Sequence, residues 1–308
     1  MKLRWQPPVI LLLVTGLFWM LLDAAEIRAA VLEGLGLCAR SVIPALFPFL
    51  VLSSLLISLG FGEWIAGALE GLMEPLYGIS GAGASALILG LIGGYPVGAR
   101  TTAELYENGL LTRDEAERLL IFCNNSNPAF LINVLGLGVF RSVRTGVWLW
   151  LIHIFSALLS GLLLGRPGRR SRAGPRPAPP VRRSRSVRLS SAFVAAVQSA
   201  LAAILSICAF VVFFYVLALP LRALPGCHGA LATGLLELFS AVPLLSSDRA
   251  GFLLAAGLSG WGGLSVLCQT LAVLSGSDLS ARRCALGKAA QGLLSAALAL
   301  ALAGYVLP

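Results

Sequence analysis

Four consecutive polar residues, Asn124, Asn125, Ser126 and Asn127, interrupt an otherwise apolar run, FCNNSNPAFLIN from Phe122 to Asn133. Together they offer amide donors, amide acceptors and a hydroxyl. Asn127 stands directly before Pro128, which pairs a good N-cap with a first-turn proline. A half-helix starting there aims its unpaired N–H groups and positive dipole end at the island, where an anion or a ligand's polar edge could sit. The other reading is a polar turn that joins an interfacial helix, Arg113 to Cys123, to the next span. Glu237, in GLLELFSAVP, is the acid set deepest in apolar sequence. A carboxylate inside a membrane is costly and points to function by default. It could hold a cation or proton or accept from substrate hydroxyl or amino groups; alternatively it marks the watery end of an amphipathic hairpin.

Other candidates cluster around two glycine-rich stretches, LGLIGGYPVGA from Leu89 and GLSGWGGLSVLCQ from Gly257. Gly93, Gly94 and Gly98 let backbones approach closely and free backbone groups for a ligand, Pro96 fixes a bend, and Gly262 and Gly263 are further candidate binding positions. Gln269 could line a hairpin that contains the second stretch. Tyr95 and Trp261 could stack on a flat substrate or pack against glycine. Glu70 and Glu74 have the spacing of a solvated helix face, His153 reads as a helix-packing residue or a proton relay, and Lys288 as a snorkelling side chain.

The elements that position these residues must lie in a bilayer. Hydrophobic residues make up 57% of the 308-residue chain and charged ones 12%, and the mean hydropathy is +0.88, far outside soluble norms. Runs long enough to span begin near positions 9, 41, 115, 145, 192 and 284, with interrupted candidates at 64–99 and 229–275. The first run reads as an uncleaved helix rather than a signal peptide. The six cysteines form no close pair, so neither a zinc site nor a disulfide framework is indicated, and the metal question stays open. No nucleotide-binding loop or hydrolase motif is present, so the chain reads as a non-enzyme without cofactor.

Between Arg166 and Arg188 the sequence holds nine Arg, five Pro and no acid. This is a linker on the cytoplasmic side, beside anionic lipid, rather than a nucleic-acid tail. With the linker and N-terminus inside, helix 145–165 runs inward, helix 115–139 outward, and residues 62–99 enter and leave on one face as a re-entrant hairpin. That count leaves Arg282, Arg283 and Lys288 on the opposite face. Sliding the two halves at an offset of 167 lays Leu89 over Ala256, Glu70 over Glu237 and Asn124 over Gln291. Three spans between the copies would invert the second, a recurring carrier plan.

GLIGGYPVGA, FCNNSNPAF, LLELF and GWGGLSVLCQ occur in that order, and with them the chain resembles the YlbJ family of sporulation integral membrane proteins, within the nucleoside-recognition or Gate-domain group. The resemblance implies a multi-pass protein of the cytoplasmic membrane with a role in endospore formation. The expected architecture is all-α and polytopic: an N-terminal helix and connection (1–40), a first Gate repeat (41–165), the linker (166–190) and an inverted second repeat (191–308), with re-entrant hairpins and interrupted helices. The expected function is transport of a small polar solute, nucleoside-like or ionic, with or without a coupling cation and as a monomer or homo-oligomer. The competing function is a non-transporting scaffold for spore envelope or cortex assembly.

Overall fold

The computed structural model of the chain describes residues 6–59, 61–165 and 189–307, so the Arg- and Pro-rich stretch 166–188 lies outside the described residues. Among the described residues every regular element is helical. In chain order these are α1 (Gln6–Leu22), α2 (Ala24–Leu37), a π-helical turn (Cys38–Val42), α3 (Ile43–Ser58), α4 (Phe61–Tyr77), α5 (Ala82–Gly93), α6 (Val97–Glu107), α7 (Arg113–Leu119), a π-helical segment (Phe130–Val139) and α8 (Val143–Leu164). The second half holds α9 (Leu189–Leu217), α10 (Leu219–Arg222), α11 (Cys227–Leu236), α12 (Leu238–Ala241), α13 (Arg249–Trp261), α14 (Gly263–Leu274) and α15 (Arg282–Val306).

Val143–Leu164, Leu189–Leu217, Arg249–Leu274 and Arg282–Val306 are each long and apolar enough to cross a membrane, and two bent helix pairs bring the number to six if each pair is one span. Leucines such as Leu12, Leu22 and Leu293 stand fully outward from these helices, as lipid-facing side chains do. The chain is an all-α polytopic membrane protein. Inside, one apolar core gathers Leu131, Leu135, Val211 and Phe252, and a second gathers Ile79, Leu119, Leu120 and Phe122. Tyr77 stacks on Phe122 with ring centroids 4.5 Å apart. Where lipid removes the hydrophobic incentive for helices to associate, close packing does more of the work.

The first glycine-rich stretch forms a helical hairpin. At 1.5 Å per residue α5 and α6 are only about 18 and 16 Å long, roughly half of a ~30 Å apolar layer. They fold back on one another so tightly that a Cβ at Gly90 would lie 2.9 Å from Gly98 Cα, and a Cβ at either glycine would collide with the carbonyl oxygen of Cys123. The tip is Gly94, Tyr95 and Pro96. Glu70 and Glu74 lie exposed on the preceding α4, as a solvated helix face requires.

The second glycine-rich stretch does not form a hairpin. Arg249–Leu274 runs on as one span, interrupted at Gly262 and Gly263, whose φ angles of 84° and 91° are left-handed. The second hairpin lies upstream: α11 ends at Glu237, which adopts extended geometry, and α12 with the short turn Val242–Leu244 packs back against α11. The offset of 167 therefore matches residue types, not elements. After α3 come α4, the α5–α6 hairpin, the broken stretch 113–139 and α8; after α9 come α10, the α11–α12 turn, the interrupted span 249–274 and α15, so α4 has no counterpart of its length. Nor is 115–139 one helix, because residues 120–127 are non-helical and a new helix starts at Pro128.

Long helices from the two halves run in opposite directions. Arg144 near the start of α8 donates to the Tyr305 carbonyl near the end of α15 (3.3 Å), and the hydroxyls of Ser156 and Ser295 meet midway (2.6 Å). At one face a polar cluster joins the halves: Arg283 pairs with Asp114 (2.8 Å), Arg113 with Asp278 (3.3 Å), and the Ser280 N–H donates to Glu117 (3.1 Å). Arg283 thus shares a face with Arg113, which corrects the parity count. The reason is that Arg249–Leu274 crosses as one span while only residues 227–244 turn back, so one crossing more separates the two arginines than a hairpin over 229–275 would give.

Candidate functional site

The two hairpin tips and the two interrupted spans meet at one buried cavity. Its walls include Tyr95 from the first tip, Ser126, Asn127 and Phe130 from the first interruption, Glu237, Leu238 and Phe239 from the second tip, and Val266 and Gln269 just past the second interruption. Leu46 of α3 and Ile207 of α9 close it. Its volume is about 30 Å³, room for roughly two waters.

Each wall has a local cause. Asn127 is the N-cap: its Oδ1 accepts from the Phe130 N–H at 2.8 Å, which leaves the start of the following helix pointed at the cavity. Gly94 presses on Asn127, since a Cβ at Gly94 would stand 2.9 Å from Asn127 Cβ, and its φ of 78° suits glycine alone. Glu237 caps α12, its Oε2 accepting from the Ser240 N–H at 2.5 Å. Gly263 allows α14 to start against Glu237, whose Cα would lie 3.2 Å from a Cβ there. Gly262 lies against the Tyr95 hydroxyl, which donates to the Ser259 carbonyl (3.3 Å). Gln269 donates to Ser265 Oγ at 3.3 Å.

Not every residue expected at the site reaches the cavity. Gly93 packs against Val97 inside the first hairpin. The Asn124 amide donates to Thr270 Oγ1 (2.8 Å) and the Asn125 amide to the Phe122 carbonyl (2.7 Å), so both turn away from the cavity. The island splits: Ser126 and Asn127 face the cavity, while Asn124 and Asn125 face α14 and α15.

Behind Tyr95 lies a group that the sequence reading missed. Lys288 does not snorkel; it is 1% exposed, with its ammonium 3.1 Å from the Asn124 carbonyl, 2.7 Å from Gln291 Oε1 and 5.0 Å from the centre of the Tyr95 ring. Gln291 in turn donates to Asn125 Oδ1 (3.1 Å) and the His153 carbonyl (3.2 Å). His153 Nε2 accepts from the Ser126 N–H (3.1 Å). That bond puts the imidazole proton on Nδ1, which has no partner among the described residues. One sequence signal was available: Lys288 and Gln291 sit three apart on an apolar helix, hence on one face.

A larger space of about 220 Å³ lies between α3, α6 and α9. Pro96, Leu50 and Ala203 line its inner end, and Arg100, Glu104 and Ser58 its outer end. The inner end lies one helical turn from Leu46 and Ile207 of the small cavity. Along this groove α3 and α9 are antiparallel, Leu46 lying near Ile207 and Ser54 near Ala196. Among the described residues no group of three or more His, Cys, Asp or Glu could hold a metal ion.

Residues 39–143 match the Gate family, described as nucleoside recognition. The chain is 36% identical over 137 residues to the sporulation integral membrane protein YlbJ of Bacillus subtilis (strain 168). The match takes in 44% of this chain and 34% of the relative, so the chain covers about a third of that protein's length. No solved structure matches. Both matches bear out the resemblance to the YlbJ-like group carried by the four motifs.

Proposed function

We propose that this protein is a carrier of the cytoplasmic membrane that moves a small polar solute with nucleoside-like hydroxyl and amide groups during endospore formation. The observation that carries the reading is the convergence of two hairpin tips and two helix interruptions on Glu237, Gln269, Asn127 and Tyr95. Irregular backbone at membrane depth is tolerated where it lines a site, and carriers built from repeats keep theirs at such interruptions. Glu237 accepts from solute hydroxyls, Gln269 and Asn127 pair with amide edges, and Tyr95, Phe130 and Phe239 offer flat apolar surface. The role in sporulation rests on the likeness to YlbJ, and the class of solute on the Gate match.

A cavity of about 30 Å³ is too small for such a solute, so it is the closed form of the site, and the 220 Å³ space is its vestibule. Leu46, Leu50, Ile207 and the Pro96 turn form the partition between them. The antiparallel pairs α3 with α9 and α8 with α15 support an inverted relation of the two halves, in which rocking exposes the site to each face in turn.

The test is thermal unfolding of the purified protein in detergent against nucleosides, nucleobases, small carboxylates and divalent metals, with Glu237→Gln alongside. A ligand at about 100 times its dissociation constant adds roughly 2.7 kcal/mol. Stabilisation of the parent and not of the variant is the expected result; a broad solute panel that shifts neither protein sinks the carrier reading.

A further inference from the structure

Lys288 carries a positive charge into the middle of the protein, where a charge is costly unless it is paired. It makes no salt bridge among the described residues. Its polar contacts are the Asn124 backbone oxygen, Gln291 Oε1 and the face of the Tyr95 ring, and the thiols of Cys123 and Cys284 also lie near it. The three polar contacts are electron-rich acceptors and none of them can donate, which suits an ammonium with its three donors. Backbone carbonyls at an unwound stretch beyond a half-helix C-terminus are what coordinate coupling cations in carriers with broken helices. Asn124 lies in such a stretch, following α7 after the turn at 120–123. Asn124 Oδ1 is buried without a hydrogen-bond partner among the described residues. Gly287 brings α15 against the Ile121 backbone, where a Cβ would collide with the Ile121 carbonyl, and so puts the next residue within reach of Asn124.

We propose that the Lys288 ammonium is a resident cation, filling a carbonyl site that would otherwise take up a small monovalent ion such as Na⁺ or K⁺. The ammonium takes the place of the ion, so the site needs none from the medium. Through the Tyr95 ring it also links the state of the first hairpin tip to α15. The inference deepens the carrier reading, on which its meaning for ion coupling rests, but the cation site is testable without any solute.

Lys288→Ala removes the ammonium and opens its space, whereas Lys288→Met removes the charge and keeps the space filled. Thermal unfolding is compared in chloride salts of choline, Na⁺, K⁺ and ammonium at equal ionic strength. The expected result is a rise of roughly 5 °C for Lys288→Ala in at least one small cation over choline, with the parent and Lys288→Met moving by less than about 1 °C. Indifference of Lys288→Ala to every cation overturns the proposal. So does a parent that Na⁺ or K⁺ stabilises over choline, a reading that needs no variant to fold. A protein that ignores all solutes yet shows the cation rescue would lose the proposed function and keep this site.

Discussion

Glu237 and Lys288 are both about 1% exposed, lie near Tyr95, and are treated in opposite ways. Glu237 lines a cavity and uses one oxygen to cap a four-residue helix. Lys288 lines neither the small cavity nor the larger groove, and acceptors surround its ammonium. A buried charge with free space can exchange partners, whereas one packed among carbonyls is part of the frame. Burial alone does not mark a ligand-binding residue; the space beside it does.

Substitutions should separate the two. Lys288→Ala leaves a void and at least two acceptors without a donor, and should cost roughly 4 kcal/mol in detergent, read as a fall in unfolding temperature in choline chloride. A loss below about 1 kcal/mol would mean that the ammonium is no structural group. Gly98→Ala drives a methyl into the Cys123 carbonyl next to Asn124, disturbing the lysine side of Tyr95 first. We expect a loss of about 3 kcal/mol, and a protein of parental stability would refute the hairpin's tight crossing. Asn127→Ala acts on the cavity side through the lost cap, at about 1 kcal/mol, and Asn127→Asp should recover most of it. Glu237→Gln keeps an acceptor for the Ser240 N–H, so it should cost under about 1 kcal/mol while abolishing any solute-induced shift.

The smallest effect concerns an acid outside the spans. Asp248 caps α13, and the Gly251 N–H followed by the Ser246 hydroxyl hold its carboxyl below the ordinary carboxylate range. Because the folded value is the lower one, its contribution is present above the unfolded pKa and fades as pH falls through the folded value. Asp248→Asn should flatten that acid limb slightly in a pH series of unfolding temperatures; an unchanged limb would assign it to other groups.

Legibility followed the range of the interactions. The Asn127–Pro128 cap could be read because capping joins residues three apart, and Glu237 because a lone acid in apolar sequence has few other uses. The first hairpin could be read because Gly and Pro are poor helix interiors. The second was misplaced because glycine serves two purposes here: Gly90 and Gly98 permit a close crossing, whereas Gly262 and Gly263 supply left-handed backbone. GLIGG and GLSGW look alike while doing different things. Lys288 went unread because its backbone partner, Asn124, lies far away in sequence, and nearby Arg282 and Arg283 made it look interfacial.

The polar cluster that joins Arg113 and Asp114 to Asp278 and Arg283 gives the molecule uneven stiffness through its thickness. Those pairs face solvent, where each contributes about 0–1 kcal/mol and salt screens it over roughly 8 Å. The Lys288, Gln291 and His153 contacts at mid-depth are dry and feel no such screening. Raising the ionic strength therefore weakens the contacts at one face and leaves those around Lys288 unchanged, so salt loosens the joint between the halves from a single side.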